Sequence, residues 1–142
     1  MAREAALDDL YQGLTTLARR ARDAGGHIHP GLSLVAYTLL ARIDVTPGMR
    51  AADLATHFSL DKSTLSRQLD QLISAGLLRR DGELPGRRGY VLTLTPAGRQ
   101  HLDVAAQAVR DRLADRLADW DDRDIAAFAE LVTRFNHSAD RP

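Results

Sequence analysis

A polar pattern between residues 61 and 71 offers the most specific chemistry in this sequence. Hydroxyl, amide and guanidinium side chains recur there, and such groups hydrogen-bond to base edges in a major groove. Apolar residues fall between them at i, i+4, i+7 and i+8, which predicts an amphipathic helix over residues 62–75. The apolar residues are Leu65, Leu69, Leu72 and Ile73. The candidate base contacts on the opposite face are Ser63, Thr64, Ser66, Arg67 and Gln68.

Local signals mark both ends of this helix. Asp61 is an acceptor of the N-capping type, and Gly76 follows as a left-handed C-terminal cap with Leu77 packing back. A shorter helix and a tight turn precede it, so the pair predicts a helix-turn-helix. Arg50 and Lys62 are the candidate phosphate contacts. Any exposed helix face has a similar composition, so a plain solvated face is the alternative.

Two strands with a polar loop between them follow directly. Residues 77–80 form the first, and in residues 90–95 Val91, Thr93 and Thr95 alternate with Tyr90, Leu92 and Leu94, as in a half-buried strand. The loop is rich in glycine and carries Arg87 and Arg88. The combination predicts a winged helix-turn-helix with a wing at 81–89 whose arginines reach into a minor groove. A hairpin with a polar tip for solubility is the alternative.

Four motifs together resemble the MarR family of bacterial regulators. The similarity spans about residues 32–102, and the helical ends fit the family's layout. The motifs are Asp53-Leu54-Ala55, the run from Asp61 to Arg67, the run from Leu72 to Arg80, and the run from Leu94 to Gly98. The resemblance implies a mostly α fold with a small β-wing, in which a winged helix-turn-helix core is flanked by N- and C-terminal dimerisation helices. It also implies a dimeric, ligand-responsive repressor that reads double-stranded DNA at a pseudo-palindromic operator.

One position departs from the family's pattern. The family's wing usually has an Asp two residues before its groove-inserting Arg, and that Arg matches Arg88. Gly86 occupies the Asp position here. The carboxylate that would orient the arginine is therefore missing, which bears on the rigidity of the wing.

Composition limits the other functional classes. A chain of 142 residues is one domain long, and it has no cysteine, which excludes disulfides, thiolate metal sites and a cysteine redox switch. No apolar run approaches the roughly 20 residues of a membrane span, and the N-terminus has no signal-peptide core. We therefore expect a cytoplasmic protein.

The net charge of zero hides an uneven distribution. Residues 61–99 carry seven Lys and Arg against four acids, whereas residues 100–142 carry six Arg against nine acids. The basic excess thus falls on the segment expected to face DNA. It is modest, so we expect phosphate affinity to come from two copies acting together.

Long apolar stripes at both ends of the chain predict assembly. The first runs through residues 5–22, the second through a long helix from Pro96 to Trp120, and the third through a last helix starting at Asp121. A small domain cannot easily bury them all, so we expect residues 5–31 and 96–142 to form a two-fold dimer around a DNA-binding lobe at 32–95. A monomer folding these helices onto its own core is the alternative.

Small-molecule sites have weaker signals. The resemblance implies an aromatic or other effector in a crevice near the dimer helices, where Arg20, His29 and Tyr37 are candidates. Residues 27–31 are predicted to be a loop, and His27 and His29 are one residue apart, but no nearby Cys or acid completes a metal set. We therefore expect no metal and no cofactor.

Other functional classes remain open. The winged helix is also compatible with a protein-interaction or dimerisation module that does not bind DNA. An enzyme is disfavoured because the sequence has no glycine-rich phosphate loop, no His/Glu metal pattern and no catalytic site residues in a defensible arrangement. Within the DNA-binding class, the sequence does not distinguish activation from repression.

Overall fold

Six helices and two small antiparallel sheets make up the observed architecture. The computed structural model describes residues 1–23, 27–29, 32–83, 86 and 88–138, and of residues 27–29 and 83 it describes the backbone alone. The helices are α1 (Ala2–Asp23), α2 (Leu34–Val45), α3 (Ala51–Phe58), α4 (Lys62–Ser74), α5 (Pro96–Arg116) and α6 (Asp122–Ser138). The strands are β1 (His27–His29), β2 (Leu32–Ser33), β3 (Leu78–Glu83) and β4 (Tyr90–Leu94). The predicted fold class, mostly α with a small β-wing, is confirmed.

The chain divides into two compact units, Met1–Ala106 and Gln107–Pro142. The first contains α1 to α4, both sheets and the first half of α5; the second contains the rest of α5 and α6. The predicted boundaries at 32–95 stay a prediction, because compactness does not identify which segment binds DNA. In the described residues, no helix has both the length and the apolar character needed to cross a membrane.

A leucine core holds the helix-turn-helix together within the first unit. Side chains from α2, α3, α4, β3, β4 and α5 meet in it, and Leu40 and Leu54 are completely buried. The periodic leucines of α4 that the sequence assigned to the inner face, Leu65, Leu69 and Leu72, are all buried. Burial of this one face is what fixes the rotation of α4 and so the direction of its polar face.

The wing sheet has an additional partner that the sequence pattern did not reveal. β3 and β4 pair from Leu78↔Leu94 to Glu83↔Tyr90, so β3 extends into the predicted 81–89 loop. Arg50 forms an isolated bridge with Val91, and the Leu92 N–H donates to the Met49 carbonyl at 2.8 Å. This segment therefore pairs along the outer edge of β4. Val91 and Leu92 are both buried, so the predicted half-buried alternation along β4 was wrong.

The start of α5 packs directly against the start of β3. Thr95 caps α5, since the Gly98 N–H donates to its Oγ1 at 3.0 Å, and the Thr95 N–H donates to the Leu77 carbonyl at 3.1 Å. A Cβ on Gly98 would lie 2.0 Å from the Leu77 carbonyl oxygen. Only glycine allows this approach, which connects α5 rigidly to the wing.

Two sequence-based boundaries were wrong. His27–His29 forms β1, which pairs with β2; a strand this short leaves no periodic signal, so it was predicted as a loop. α5 ends at Arg116 rather than continuing to Trp120. A turn follows, in which the Trp120 N–H donates to the Leu117 carbonyl at 2.9 Å and the Trp120 ring meets Phe128 edge-on at 5.7 Å.

Candidate nucleic-acid interface

The first turn of α4 is fixed by Asp61. Its carboxylate accepts from the Ser63 hydroxyl at 2.5 Å and from the Thr64 N–H at 2.9 Å. The hydrogen bond from Ser63, followed by those from Thr64, holds the pKa of Asp61 well below its usual range. The capping predicted from the sequence is confirmed. Because the Ser63 hydroxyl donates to Asp61, its oxygen is left as an acceptor for an outside group.

The last turn of α4 ends as the sequence predicts. Gly76 is left-handed, with a φ of +73°. The Leu77 N–H donates to the Leu72 carbonyl and the Gly76 N–H to the Ile73 carbonyl, each at 2.9 Å. These two bonds form a Schellman motif, and Leu77 is buried behind it. Both ends of α4 are therefore set by local hydrogen bonds.

Most of the predicted base-contacting residues are exposed on the polar face of α4. Ser63, Thr64, Ser66 and Arg67 are exposed, whereas Gln68 is half-buried. With about 100° between successive helix positions, Arg67 points directly away from the buried leucines and Gln68 lies towards the edge of the face. A shallow surface depression follows the exposed side and is lined by Ser63, Ser66, Arg67, Asp70, Gln71 and Ser74.

Gln71 and Asp70 belong to this surface although they were not among the candidates. Both lie one to two turns beyond Ser63 and Arg67 on the exposed side, so the helical period alone was sufficient to find them. Asp70 accepts from Arg80 Nη2 of β3 at 2.9 Å. An exposed ion pair of this kind adds little stability. Its effect is on charge, since Arg80 balances a carboxylate that would otherwise repel phosphates.

The wing tip has glycines in unusual backbone conformations. Gly86 has a φ of +76° and Gly89 a φ of +97°, which other residues rarely adopt. Arg88 is exposed between them. Arg87, the second wing candidate, lies outside the described residues. The tip thus presents at least one arginine beside two glycines with positive φ angles.

Arg50, predicted as a phosphate contact, has its guanidinium bonded within the protein. Its Nε and Nη2 donate to the two carboxylate oxygens of Asp53 at 3.1 and 3.0 Å, and its Nη1 donates to the Arg88 carbonyl at 3.0 Å. Sequence reasoning missed the bond to the wing because Arg88 is 38 residues away, whereas Asp53 is only three residues away and helical spacing could have revealed that pair. Lys62, the other phosphate candidate, is exposed at the start of α4.

A cleft of about 540 Å³ lies between α3, α4 and the wing sheet. Its walls include the apolar side chains of Leu65 and Leu69. The charged residues along it are Lys62 and Arg88, together with Arg80, which is paired with Asp70, and Arg50, which is paired with Asp53. α4 and the wing therefore border one continuous surface with an apolar floor and a net positive charge. Such a surface suits a polyanion better than a neutral partner.

The predicted effector residues are not brought together by any described contact. Arg20 is exposed on α1, and Tyr37 of α2 is half-buried against the leucine core. Neither lines the cleft between α4 and the wing. The side chain of His29 lies outside the described residues. Among the residues that the structure does describe, no three His, Asp or Glu side chains are grouped to hold a metal ion.

Comparison with known proteins identifies the family of this chain. A family model for the MarR family matches residues 32–82. The HTH-type transcriptional regulator YxaD of Bacillus subtilis (strain 168), itself uncharacterised, is 34% identical over 125 residues, which cover 87% of each chain. The chain belongs to the MarR family. The HTH-type transcriptional repressor Rv2887 of Mycobacterium tuberculosis (strain ATCC 25618 / H37Rv) is 27% identical over 105 residues, 72% of this chain and 76% of that one.

A solved structure of the MarR family agrees with the fold. The crystal structure of MarR matches with a TM-score of 0.73 at 25% identity, covering 90% of this chain and 89% of that one. MarR family regulators bind DNA and act as dimers, and this chain is a DNA-binding transcription regulator. The predicted family, fold class and regulatory function are thereby confirmed. The individual contact residues stay predictions.

Proposed function

We propose that two copies of this chain read a pseudo-palindromic operator, each placing α4 in a major groove and its wing in the neighbouring minor groove. The observation that carries this proposal is the continuous basic surface between α4 and the wing, lined by Lys62, Ser66 and Arg88. In a duplex the two grooves lie side by side, so a helix and a loop bordering one surface can enter both.

The exposed side chains of α4 suggest how bases are recognised. Arg67 suits a guanine, whose O6 and N7 accept both arms of a guanidinium, and Gln68 or Gln71 suits an adenine. Ser63 offers an acceptor, which complements the amino group of cytosine or adenine. Thr64 and Ser66 complete the base contacts, Lys62 binds phosphate, and Arg88 with Arg87 enters the minor groove.

The second copy is held by the terminal helices. Within the described part of the chain, α1 and α6 have no buried side chain, yet both carry large apolar residues in stripes. These are Leu7, Leu10, Tyr11, Leu14 and Leu17 on α1, and Phe128, Leu131, Val132 and Phe135 on α6. Apolar stripes of this length are unfavourable in water, and a two-fold dimer through α1, α5 and α6 would cover them.

Regulation by a small effector is part of the proposal. A ligand that binds one arrangement of the dimer more tightly would change the spacing of the two α4 helices and so the affinity for the operator. Repression is the favoured mode, because the related Rv2887 protein is named a repressor. No catalytic activity is proposed, and a chromosomal operator implies action in the cytoplasm.

Selection of bound fragments from the source genome, followed by titration at several salt concentrations, tests this function. We expect an inverted repeat with half-sites about one helical turn apart and a linear fall of log affinity with log salt. Arg67→Ala should weaken binding by about 10- to 100-fold and relax preference at one base pair. Arg123→Ala, an exposed arginine on α6, is the matched control and should bind as the parent does.

Either of two results would contradict the proposal. One is the absence of any enriched fragment with a folded dimer present, which would favour a protein-interaction module. The other is binding that is equally weakened by Arg67→Ala and Arg123→Ala, which would mean that α4 does not read the bases.

A further inference from the structure

We propose that Arg50 is a positioning residue that fixes the wing, and that it does not contact DNA itself. This inference rests on the proposed minor-groove role of Arg88. It assigns to Arg50 the task of holding the backbone at Arg88 against the start of α3. It also replaces the phosphate contact expected from the sequence.

The first part of the argument is the fork between Arg50 and Asp53. Nε and Nη2 of Arg50 meet the two carboxylate oxygens at 3.1 and 3.0 Å, and the Arg50 backbone N–H also donates to Asp53 Oδ2 at 3.0 Å. Asp53 is in the first turn of α3. Bidentate bonds between charged groups are strong and define an orientation, so the guanidinium is fixed relative to α3.

The second part is the bond from this fixed guanidinium to the wing. Its Nη1 donates to the Arg88 carbonyl at 3.0 Å. The backbone adds two further connections, the bridge between Arg50 and Val91 and the hydrogen bond from the Leu92 N–H to the Met49 carbonyl. Side chain and backbone of one short segment therefore hold both the tip and the start of β4.

The third part is burial and charge. The Arg50 side chain is only 16% exposed, and its charge lies beside the Asp53 carboxylate. A phosphate approaching Arg50 would meet a neutralised pair whose fork is already occupied. Arg88 itself is exposed, so the cation that the arrangement offers to DNA is at the wing tip.

The fourth part is the backbone at the wing tip. Gly86 and Gly89 have positive φ angles on either side of Arg88. Glycine restricts the backbone of an unbound chain less than any other residue. The Arg50 bond to the Arg88 carbonyl therefore anchors the backbone where its neighbours restrict it least.

A double-mutant cycle on the selected operator tests the inference. Arg50→Met removes the guanidinium and keeps most of the aliphatic stem, and the paired change of Arg87→Ala with Arg88→Ala removes both wing cations. We expect each to weaken binding about tenfold or more, and the combined variant to bind no more weakly than the wing variant alone, because Arg50 acts through the wing arginines. Arg99→Met removes another arginine–carboxylate pair, the one with Asp44, and should leave affinity unchanged.

Replacement of Arg50 by lysine provides a second test, because a positioning role and a phosphate contact predict different affinities for that variant. Arg50→Lys keeps the charge but cannot form the fork with Asp53 and reach Arg88 together. Arg50→Lys should therefore be as weak as Arg50→Met. Three results would identify a phosphate contact and overturn the inference. They are additive losses of affinity in the cycle, restoration of binding by lysine, and a salt slope lower by about one when Arg50→Met is added to the wing variant.

Hydrogen exchange in the free protein separates failure of this inference from failure of the wing proposal. We expect Arg50→Met, and not Arg99→Met, to accelerate amide exchange at residues 88–92. If the change of both wing arginines leaves DNA binding unchanged, the minor-groove proposal fails, and accelerated exchange would still assign wing positioning to Arg50. Unchanged exchange in Arg50→Met would overturn the inference whatever the DNA result.

Discussion

Leucine side chains are buried in the winged-helix core but exposed on the terminal helices. Leu54 of α3 is 0% exposed, whereas Leu10 of α1 is 49% exposed. Both lie in helices that carry apolar residues on one face. The difference is that α3 has α4 and the wing sheet to pack against within its own chain. An apolar stripe thus predicts that a face is covered without saying which chain covers it.

This contrast assigns different tasks to the two regions. The core holds α4 and the wing in a defined arrangement, so its residues determine stability and the shape of the surface between α4 and the wing. Among the described residues, neither α1 nor α6 has a buried side chain. Under the proposed function, their exposed stripes bind a second copy. Variants in the core should therefore behave differently from variants in the stripes.

The largest effect is expected from a charge placed on the α6 stripe. Phe135→Glu should prevent dimer formation and lower operator affinity by about 100-fold or more, because single half-site binding loses the gain from linked sites. Its side chain is half exposed in the single chain, so folding should survive. Sedimentation and operator titration measure both effects. Ala126→Glu places the same charge on the opposite face of α6 and should remain dimeric; equal behaviour of the two variants would contradict the assembly argument.

The same change from leucine to alanine in each of the two regions tests the contrast between them further. Leu54→Ala should lower the free energy of unfolding by about 2–5 kcal/mol, since it leaves a cavity in a fully packed core. Leu10→Ala should instead weaken association of the dimer. Thermal unfolding over a hundredfold range of protein concentration distinguishes them. The Leu54 loss should be similar at every concentration, and a Leu10 loss that is also independent of concentration would place α1 in the single-chain core.

The junction between α5 and the wing is expected to be less tolerant than its exposed surroundings. Gly98→Ala would bring a Cβ to 2.0 Å from the Leu77 carbonyl, and we expect a cost of about 1–3 kcal/mol from the forced displacement. Chemical denaturation measures it. Ala97→Gly, a change of one methyl group at the exposed neighbouring position, is the control and should cost about 1 kcal/mol or less. A neutral Gly98→Ala would show that the junction can open without loss.

The smallest effect is expected at the cap of α4. The pKa of Asp61 is lowered in the folded state by its bonds from Ser63 and Thr64, so this carboxylate stabilises the fold above its unfolded pKa of about 3.8. That contribution should be lost progressively as the pH falls below about 4 towards the lowered pKa of the folded state. Asp61→Asn keeps an N-cap acceptor and should flatten the loss of stability on acidification. An acid unfolding profile identical to that of the parent would contradict the capping role.

Local features of this chain were predictable from sequence, and features made by distant segments were not. α4 begins after Asp61 and ends before Gly76 as expected, because both ends are set by hydrogen bonds between residues at most five positions apart. The exposure of Ser63, Ser66 and Arg67 followed from the helical period. The wing contact of Arg50 could not be predicted, because its partner is 38 residues away and is a backbone carbonyl that no sequence pattern marks. The pair with Asp53 is at i+3 and could have been predicted from helical spacing.

The errors at the element ends have the same origin. β1 consists of three residues that pair with β2 through the backbone, so their side-chain types gave no signal of a strand. Trp120 continued the apolar spacing of α5, but α5 ends at Arg116 and a turn follows, in which the Trp120 N–H donates to the Leu117 carbonyl. Apolar spacing does not mark the point where the helix ends, because the apolar residues continue through the turn.

The most direct test of the division between a DNA-reading core and an assembling stripe is the number of chains on one operator. Sedimentation of the parent protein, free and bound to the selected duplex, gives this number from a chain mass of 15.6 kDa. We predict two chains in the free protein and two chains on each duplex, with no complex of one chain at any concentration that binds specifically. A single chain that occupies one half-site with undiminished affinity would contradict the account.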